Sequence, residues 1–212
     1  MDDYLKDPIE IERRSFIQIR KLTEMEQFTE DQQQIVMRMV HTCGNPEITT
    51  DIRISEGAVT AGLVALQNVS SVLCDVEMVK QGLTKRFLQQ DPLCFLNDEG
   101  IVEAARATGN SRTMTAIDRW KDHVDGSIAI IGNAPTALYR LMELIEGGMP
   151  PPGLVIGIPV GFIGAAESKD YLWKSHKNLG FECITVVGRT GGSAIAAAVF
   201  NTLVRLRRGL RF

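Results

Sequence analysis

From residue 71 onward the apolar residues fall in short unbroken runs rather than in alternation. Val72, Leu73 and Cys74 make the first, closed by Asp75, and Leu93 to Leu96, Ile128 to Ile131, Leu154 to Ile158 and Cys183 to Val187 follow. Between them lie stretches with helical spacing, at about Glu99 to Ala107, Arg112 to His123, Pro135 to Glu146 and Ala165 to Asn178, with a last one from Ser193 to Arg207. A strand buried on both sides has no polar face to show, so unbroken apolar strands alternating with helices point to a parallel sheet covered on both faces. The pattern predicts an α/β fold: a three-layer α/β/α sandwich with a mostly parallel five-stranded sheet. Gly109, Gly147-Gly148 and Gly180 read as helix stops, and Pro150-Pro151-Pro152 as a stiff helix-to-strand connection.

The first 70 residues have a different rhythm. Ile9, Ile11, Phe16, Ile17 and Ile19 suit a short helix among charged residues. Thr29-Glu30-Asp31-Gln32 is a capping-box pattern, opening a helix through Ile35, Val36, Met39 and Val40 that stops before Gly44 and Pro46. Ser55 is expected to cap a further helix whose small apolar face includes Ala58, Gly62 and Ala65. The reading is one domain over 1–212, with 1–70 as an N-terminal helical part packed on the sheet region 71–212.

Composition narrows the partners. With 212 residues, 44% hydrophobic and 23% charged, the chain can bury a substantial core. A net charge of −3 argues against a nucleic-acid surface, and an anionic ligand would have to be attracted by local donors. No apolar run approaches 18 residues, and the acidic opening M-D-D-Y-L-K-D-P lacks a signal sequence, so no membrane span and a cytoplasmic location are expected. Cys43, Cys74, Cys94 and Cys183 are scattered singly and read as free thiols, mostly buried.

Candidate chemistry gathers after the strands, because open parallel sheets bind ligands beyond their carboxyl ends. Thr84, Lys85 and Arg86 follow the first run, and G-N-A-P-T-A, with Asn133, follows Ile131. The stretch Gly157 to Lys169 carries Gly161 and Gly164 and ends in Lys169, and G-R-T-G-G-S spans Gly188 to Ser193. Arg112 opens another helix behind a capping Ser111. Glycine turns feeding helix N-termini present free backbone N–H groups, and several together suit a wide ligand with many peripheral anions. The spacing G-x-x-x-G-x-x-G is neither a dinucleotide fingerprint nor a phosphate loop. No G-x-S-x-G elbow and no metal spacing stand out, so hydrolysis, redox chemistry and a cofactor have no visible carrier. His41, with Arg38 three residues before it on the same helix face, is the candidate proton-handling group, since an imidazole can both give and take a proton near neutral pH. One such group facing a broad anion-binding basin fits an isomerisation.

Six blocks then carry a resemblance: E-R-R-S-F (Glu12 to Phe16), R-M-V-H-T-C-G (Arg38 to Gly44), L-C-D-V-E-M-V (Leu73 to Val79), I-G-N-A-P-T-A-L (Ile131 to Leu138), P-V-G-F-I-G-A-A-E-S-K (Pro159 to Lys169) and G-R-T-G-G-S-A (Gly188 to Ala194). Together they resemble the precorrin-8X (cobalt-precorrin-8) methylmutase family, over about Asp7 to Arg205. The resemblance implies an isomerase of vitamin B12 corrin-ring synthesis that shifts a methyl group from C11 to C12 of precorrin-8X or cobalt-precorrin-8. Its product would be hydrogenobyrinate or cob(II)yrinate. It also implies a homodimeric α/β/α sandwich binding a tetrapyrrole substrate and product, with His41 as the catalytic histidine and Ser15 and Arg38 on the substrate. Thr84, Lys85, Arg86 and Arg112 are further choices for carboxylate contacts, and Asn133, Gly161, Gly164 and Lys169 complete the expected substrate site. The alternative is a corrinoid-binding carrier without chemistry; a doubly wound nucleotide-binding oxidoreductase has the wrong glycine spacing. The basic tail L-V-R-L-R-R-G-L-R-F is more than the resemblance leads one to expect and reads as a solvated helix end.

Overall fold

The computed structural model describes residues 4–212; Met1 to Asp3, the start of the acidic opening, lie outside them. Among the described residues the strands are β1 (Ile52–Ile54), β2 (Val72–Cys74), β3 (Ile128–Ile131), β4 (Leu154–Gly157) and β5 (Glu182–Val186), in the order β1-β5-β4-β3-β2. Pairs β2–β3, β3–β4 and β4–β5 are parallel, and β1 joins β5 antiparallel, Ile52 opposite Val186.

The helices form a layer on each face. α1 (Pro8–Leu22), α2 (Glu30–Cys43), α3 (Ala58–Gln67), α4 (Glu77–Gly82) and α9 (Ser193–Arg207) cover one side, and α5 (Ile101–Thr108), α6 (Arg112–Ile117), α7 (Pro135–Glu146) and α8 (Ala165–Leu179) the other. Alternate residues of each strand divide the core. Ile128, Ile130, Leu154, Ile156 and Ile184 face α9, whereas Ala129, Ile131, Val155 and Cys183 face α7 and α8. Both sets are buried, which is why the strands read as continuous apolar runs.

Two strand expectations are corrected. The run Leu93 to Leu96 is no strand: Leu93 alone bridges Leu73, through Leu93 N–H to Val72 O and Cys74 N–H to Leu93 O, each 2.8 Å. Pro92 just before it has no N–H with which to extend the ladder. The fifth strand is instead β1, so the first 70 residues are not wholly helical and contribute an edge of the sheet. Ser55 does not cap α3 either, whose N-cap is Gly57. Its Oγ accepts the Cys183 N–H at 2.8 Å and donates to the Glu182 carboxylate, which fastens β1 to β5.

The Thr29–Gln32 capping box forms as expected, and α2 ends at Gly44 in the left-handed conformation, φ 65°. These two devices fix where His41 and Arg38 emerge.

Candidate functional site

The carboxyl ends of β2 to β5 meet at one rim, and there the free donors expected of the glycine turns are already engaged. The buried Asp75 carboxylate, just past β2, accepts N–H bonds from Gly132 at 3.1 Å, Asn133 at 2.9 Å and Ala134 at 3.0 Å. Ala134 is the N-cap of α7 and Pro135 has no N–H, so the anion at this helix N-terminus is the chain's own side chain. Burial pushes the Asp75 carboxyl above its usual range, while the three donors pull the other way. The side chain of Asn133 stays exposed at the rim.

The two remaining turns hold each other. Gly192 N–H reaches Ile158 O at 2.8 Å and Gly161 N–H reaches Arg189 O at 3.3 Å. A Cβ on Gly191 would stand 2.5 Å from Ile158 O and 2.7 Å from Pro159 O, so the backbones touch only because this residue is glycine. Lys169 is fully buried (0% exposed), and its Nζ donates to Thr190 O at 2.6 Å, pinning α8 to the Gly188–Ser193 turn. Burial lowers its pKa to about 8, against a smaller opposing pull from Asp51. Gly161 and Gly164 shape a loop whose tip, Phe162 and Ile163, is 85% and 90% exposed.

A cavity of about 490 Å³ runs along α9, starting just past the Gly188–Ser193 turn at Ala194. Ala194, Ala197, Ala198 and Asn201 form its floor, a helical stripe of small residues that lets a flat body approach the helix. Asn201 is braced, accepting Thr84 N–H at 2.7 Å and donating to Gly82 O at 2.9 Å. Glu12 from α1, Arg38 and Thr42 from α2, Thr84, Arg86 and Phe87 after α4, and Arg205, Arg208 and Leu210 close the walls. Two aromatic posts position the guanidiniums. Phe87 carries Arg86 at 4.5 Å and Arg208 at 3.8 Å; Phe212 carries Arg38 at 4.5 Å and Arg205 at 4.3 Å. Phe212 stacks on Phe16 at 3.9 Å, and its N–H bonds Gln34 Oε1 at 2.7 Å. The tail is therefore the expected solvated helix end only over residues 207–211, because its last ring turns back onto α1 and α2.

Of the expected residues, Arg38, Thr84 and Arg86 meet in this cavity. His41 is exposed on its flank, turned about 60° round α2 from Arg38. Its ring stacks on Phe16 at 5.4 Å, and the Arg38 guanidinium lies over the same phenyl at 4.8 Å. Phe16 thus joins the blocks E-R-R-S-F and R-M-V-H, and Glu12 completes the link with an ion pair to Arg38 at 2.8 Å. Ser15 is beside Phe16, with its Oγ donating to Ile11 O at 2.7 Å. Lys85 reaches Gln81 Oε1 at 2.7 Å rather than lining the cavity.

Other choices are not brought together with these. Arg112 lies in the opposite helical layer, bonded to Leu96 O at 3.2 Å and Asn97 Oδ1 at 2.9 Å. Asn133, Gly161, Gly164 and Lys169 belong to the rim turns and do not line the cavity. Thr42, Phe87, Asn201, Arg205 and Arg208 were absent from the expected site. The α9 residues carried a legible signal, since 194, 197, 198, 201, 205 and 208 recur at helical spacing on one face. Among the described residues no three His, Cys, Asp or Glu side chains gather as metal ligands, and no helix is long and apolar enough to cross a membrane.

Residues 10–206 match the family model described as Precorrin-8X methylmutase. Precorrin-8X methylmutase of Pseudomonas aeruginosa is 40% identical over 209 residues, covering 98% of this chain and 100% of its own length. Cobalt-precorrin-8 methylmutase of Priestia megaterium is 36% identical, covering 92% of this chain and 87% of its own. The solved precorrin-8X methyl mutase of Thermus thermophilus superposes with a TM-score of 0.84 at 33% identity, over 95% of this chain and 97% of that one. The six sequence blocks, the layered fold and these likenesses agree, and the chain belongs to the precorrin-8X methylmutase family.

Proposed function

We propose that this chain is the isomerase that moves a methyl group from C11 to C12 of precorrin-8X, giving hydrogenobyrinate, or of cobalt-precorrin-8, giving cob(II)yrinate. Family membership supports the isomerase role in cobalamin biosynthesis. The observation that carries the reading to this site is the Phe16 junction. There His41 and Arg38 share one ring at the flank of a cavity with a small-residue floor and guanidinium walls.

The reaction is internal to the macrocycle. The bond from the methyl group to C11 breaks as its bond to C12 forms, and the conjugated ring redistributes the electrons, so nothing is consumed. The protein's part is to hold the ring and to steer that redistribution. Guanidiniums bind the peripheral carboxylates in charge-assisted, forked hydrogen bonds. The alanine floor lets the ring plane lie close to α9. His41 gives a proton or a hydrogen bond to the macrocycle as the methyl moves, drawing electron density toward that side, and takes it back afterwards. Ser15 and Arg38 bind the substrate, with Thr84 and Arg86 on neighbouring carboxylates. In this reading the whole chain acts as one domain, in the cytoplasm, as a homodimer to which the exposed Phe162 and Ile163 offer an apolar surface.

Mixing the purified protein with precorrin-8X, and in parallel with cobalt-precorrin-8, tests the proposal. Catalytic appearance of the product absorption spectrum is expected with at least one of them. Stoichiometric binding without any spectral conversion would make the protein a corrinoid carrier instead. Light scattering of the purified chain is expected to give twice the mass of one subunit.

A further inference from the structure

We propose that Arg205 and Arg208, at the end of α9, are a paired binding site for carboxylates on the edge of the macrocycle, and that they make the protein selective for free acids over amides. The inference rests on the isomerase reading and adds to it residues from the far end of α9, a helix that the motif blocks enter only at Ser193 and Ala194.

Three observations carry it. First, Arg38, Arg86, Arg205 and Arg208 converge on one cavity in which Glu12 is the only carboxylate among the described residues, and Glu12 is already paired with Arg38. Guanidiniums do not shed their protons, so such a cluster is relieved by an anion rather than by neutralisation. Second, Nε of Arg205 is buried and has no hydrogen-bond partner among the described residues. A buried donor left unmet is costly, and a ligand oxygen in the cavity would satisfy it. Burial lowers the Arg205 pKa against an opposing pull from Glu12, and neighbouring Arg38 and Arg208 add to the lowering. Third, the two side chains are held in place. Phe212 supports Arg205 at 4.3 Å and Phe87 supports Arg208 at 3.8 Å, and positions 205 and 208 share one helix face. Rings behind both guanidiniums leave their N–H edges free for a planar acceptor. A carboxylate matches that edge with two parallel bonds, whereas an amide offers one acceptor and presents donors to donors.

The test is direct binding of hydrogenobyrinate, titrated by its absorption spectrum, to the wild-type protein and to Arg205→Ala, Arg205→Lys, Arg208→Ala and Arg207→Ala. Each of Arg205→Ala and Arg208→Ala is expected to weaken binding by about 10- to 100-fold, the cost of a lost charge-assisted bond. Arg205→Lys should lose less. Arg207→Ala removes the same charge from the same helical turn; its exposed side chain lies between Val72 and Gln89 on one side and Phe87 and Arg208 on the other but does not line the cavity, so it should change binding by less than about twofold. Arg208 is exposed, so its loss leaves the fold intact and keeps the test valid if Arg205→Ala proves unstable. The same macrocycle with its peripheral acids converted to amides should bind the wild-type protein more weakly, and the Arg205→Ala/Arg208→Ala double variant should no longer tell the two apart. Hydrogenobyrinate affinities of Arg208→Ala and Arg205→Lys within twofold of wild type would overturn the proposal, as would an equal loss in Arg207→Ala. Turnover by wild-type protein separates the two readings. A protein that binds through this pair yet never converts precorrin-8X contradicts only the isomerase reading, and one that converts it while the variants bind normally contradicts only the pair.

Discussion

Replacing Lys169 by Met should remove a specific alkaline rise in stability. In the folded chain the Lys169 pKa falls from 10.5 to about 8, chiefly because the ammonium is buried, whereas the unfolded chain keeps the ordinary value. Between those limits the unfolded lysine still holds a proton that the folded one has released, so unfolding becomes harder as pH rises. The contribution is complete above pH 10.5 and is lost as pH falls through 8. Its full size is about 3–4 kcal/mol, from a fall of about 2.5 in pKa at about 1.4 kcal/mol each, and about 3 kcal/mol of it develops between pH 7 and 10.5. Methionine fills similar space without a charge and forfeits the bond to Thr190 O, a loss that does not depend on pH because the neutral amine also donates. Urea denaturation at intervals from pH 7 to 10.5, followed by tryptophan fluorescence, gives the stability difference between the two proteins. Subtracting one from the other cancels every other titrating group. That difference should move in favour of the wild-type chain by about 3 kcal/mol over the range, most steeply between pH 8 and 10. A difference flat to within about 0.5 kcal/mol, below the ordinary cost of a single lost interaction, would refute the placement of Lys169 as a buried strut.

Two further substitutions test the rim. Asp75→Ala strips three N–H groups at the start of α7 of their acceptor and should cost about 3 kcal/mol or more, lowering the melting temperature by about 6–12 °C for a chain of this length; a shift under about 2 °C would contradict the assignment. Gly191→Ala forces a methyl against Ile158 O and Pro159 O and should cost about 1–3 kcal/mol in thermal or urea unfolding, with an unchanged stability counting against the close approach of the two turns.

What could be read from the sequence depended on how local its cause was. α7 and α9 run from Pro135 to Glu146 and from Ser193 to Arg207 as the pattern predicts, because a proline at the first helical position, glycine stops and a sustained period are local signals. β1 escaped notice because three residues, Ile52-Arg53-Ile54, are too few to show a period; they become a strand only by pairing with β5, some 130 residues away. Leu93 to Leu96 misled for the opposite reason, being apolar enough for a strand but paired at one residue. The same division holds in the site. Arg38 and His41 were legible together from helix geometry alone. The engagement of the Asn133 N–H was not legible, because its acceptor comes from Asp75, 58 positions earlier. The position of Arg112 in the opposite helical layer was not legible, because spacing does not reveal which layer a segment joins. The return of Phe212 onto Phe16, which brings the tail to the cavity wall, is tertiary and had no local sign.

The central claim is that the imidazole beside Arg38 acts on the macrocycle. The most direct measurement is single-turnover conversion of precorrin-8X by His41→Ala, read from the product spectrum, together with the affinity of that variant for hydrogenobyrinate. The account predicts a rate lowered by about 10²- to 10⁴-fold, the span typical of a lost general acid or base, with binding changed only a few-fold. Conversion at the wild-type rate would contradict it.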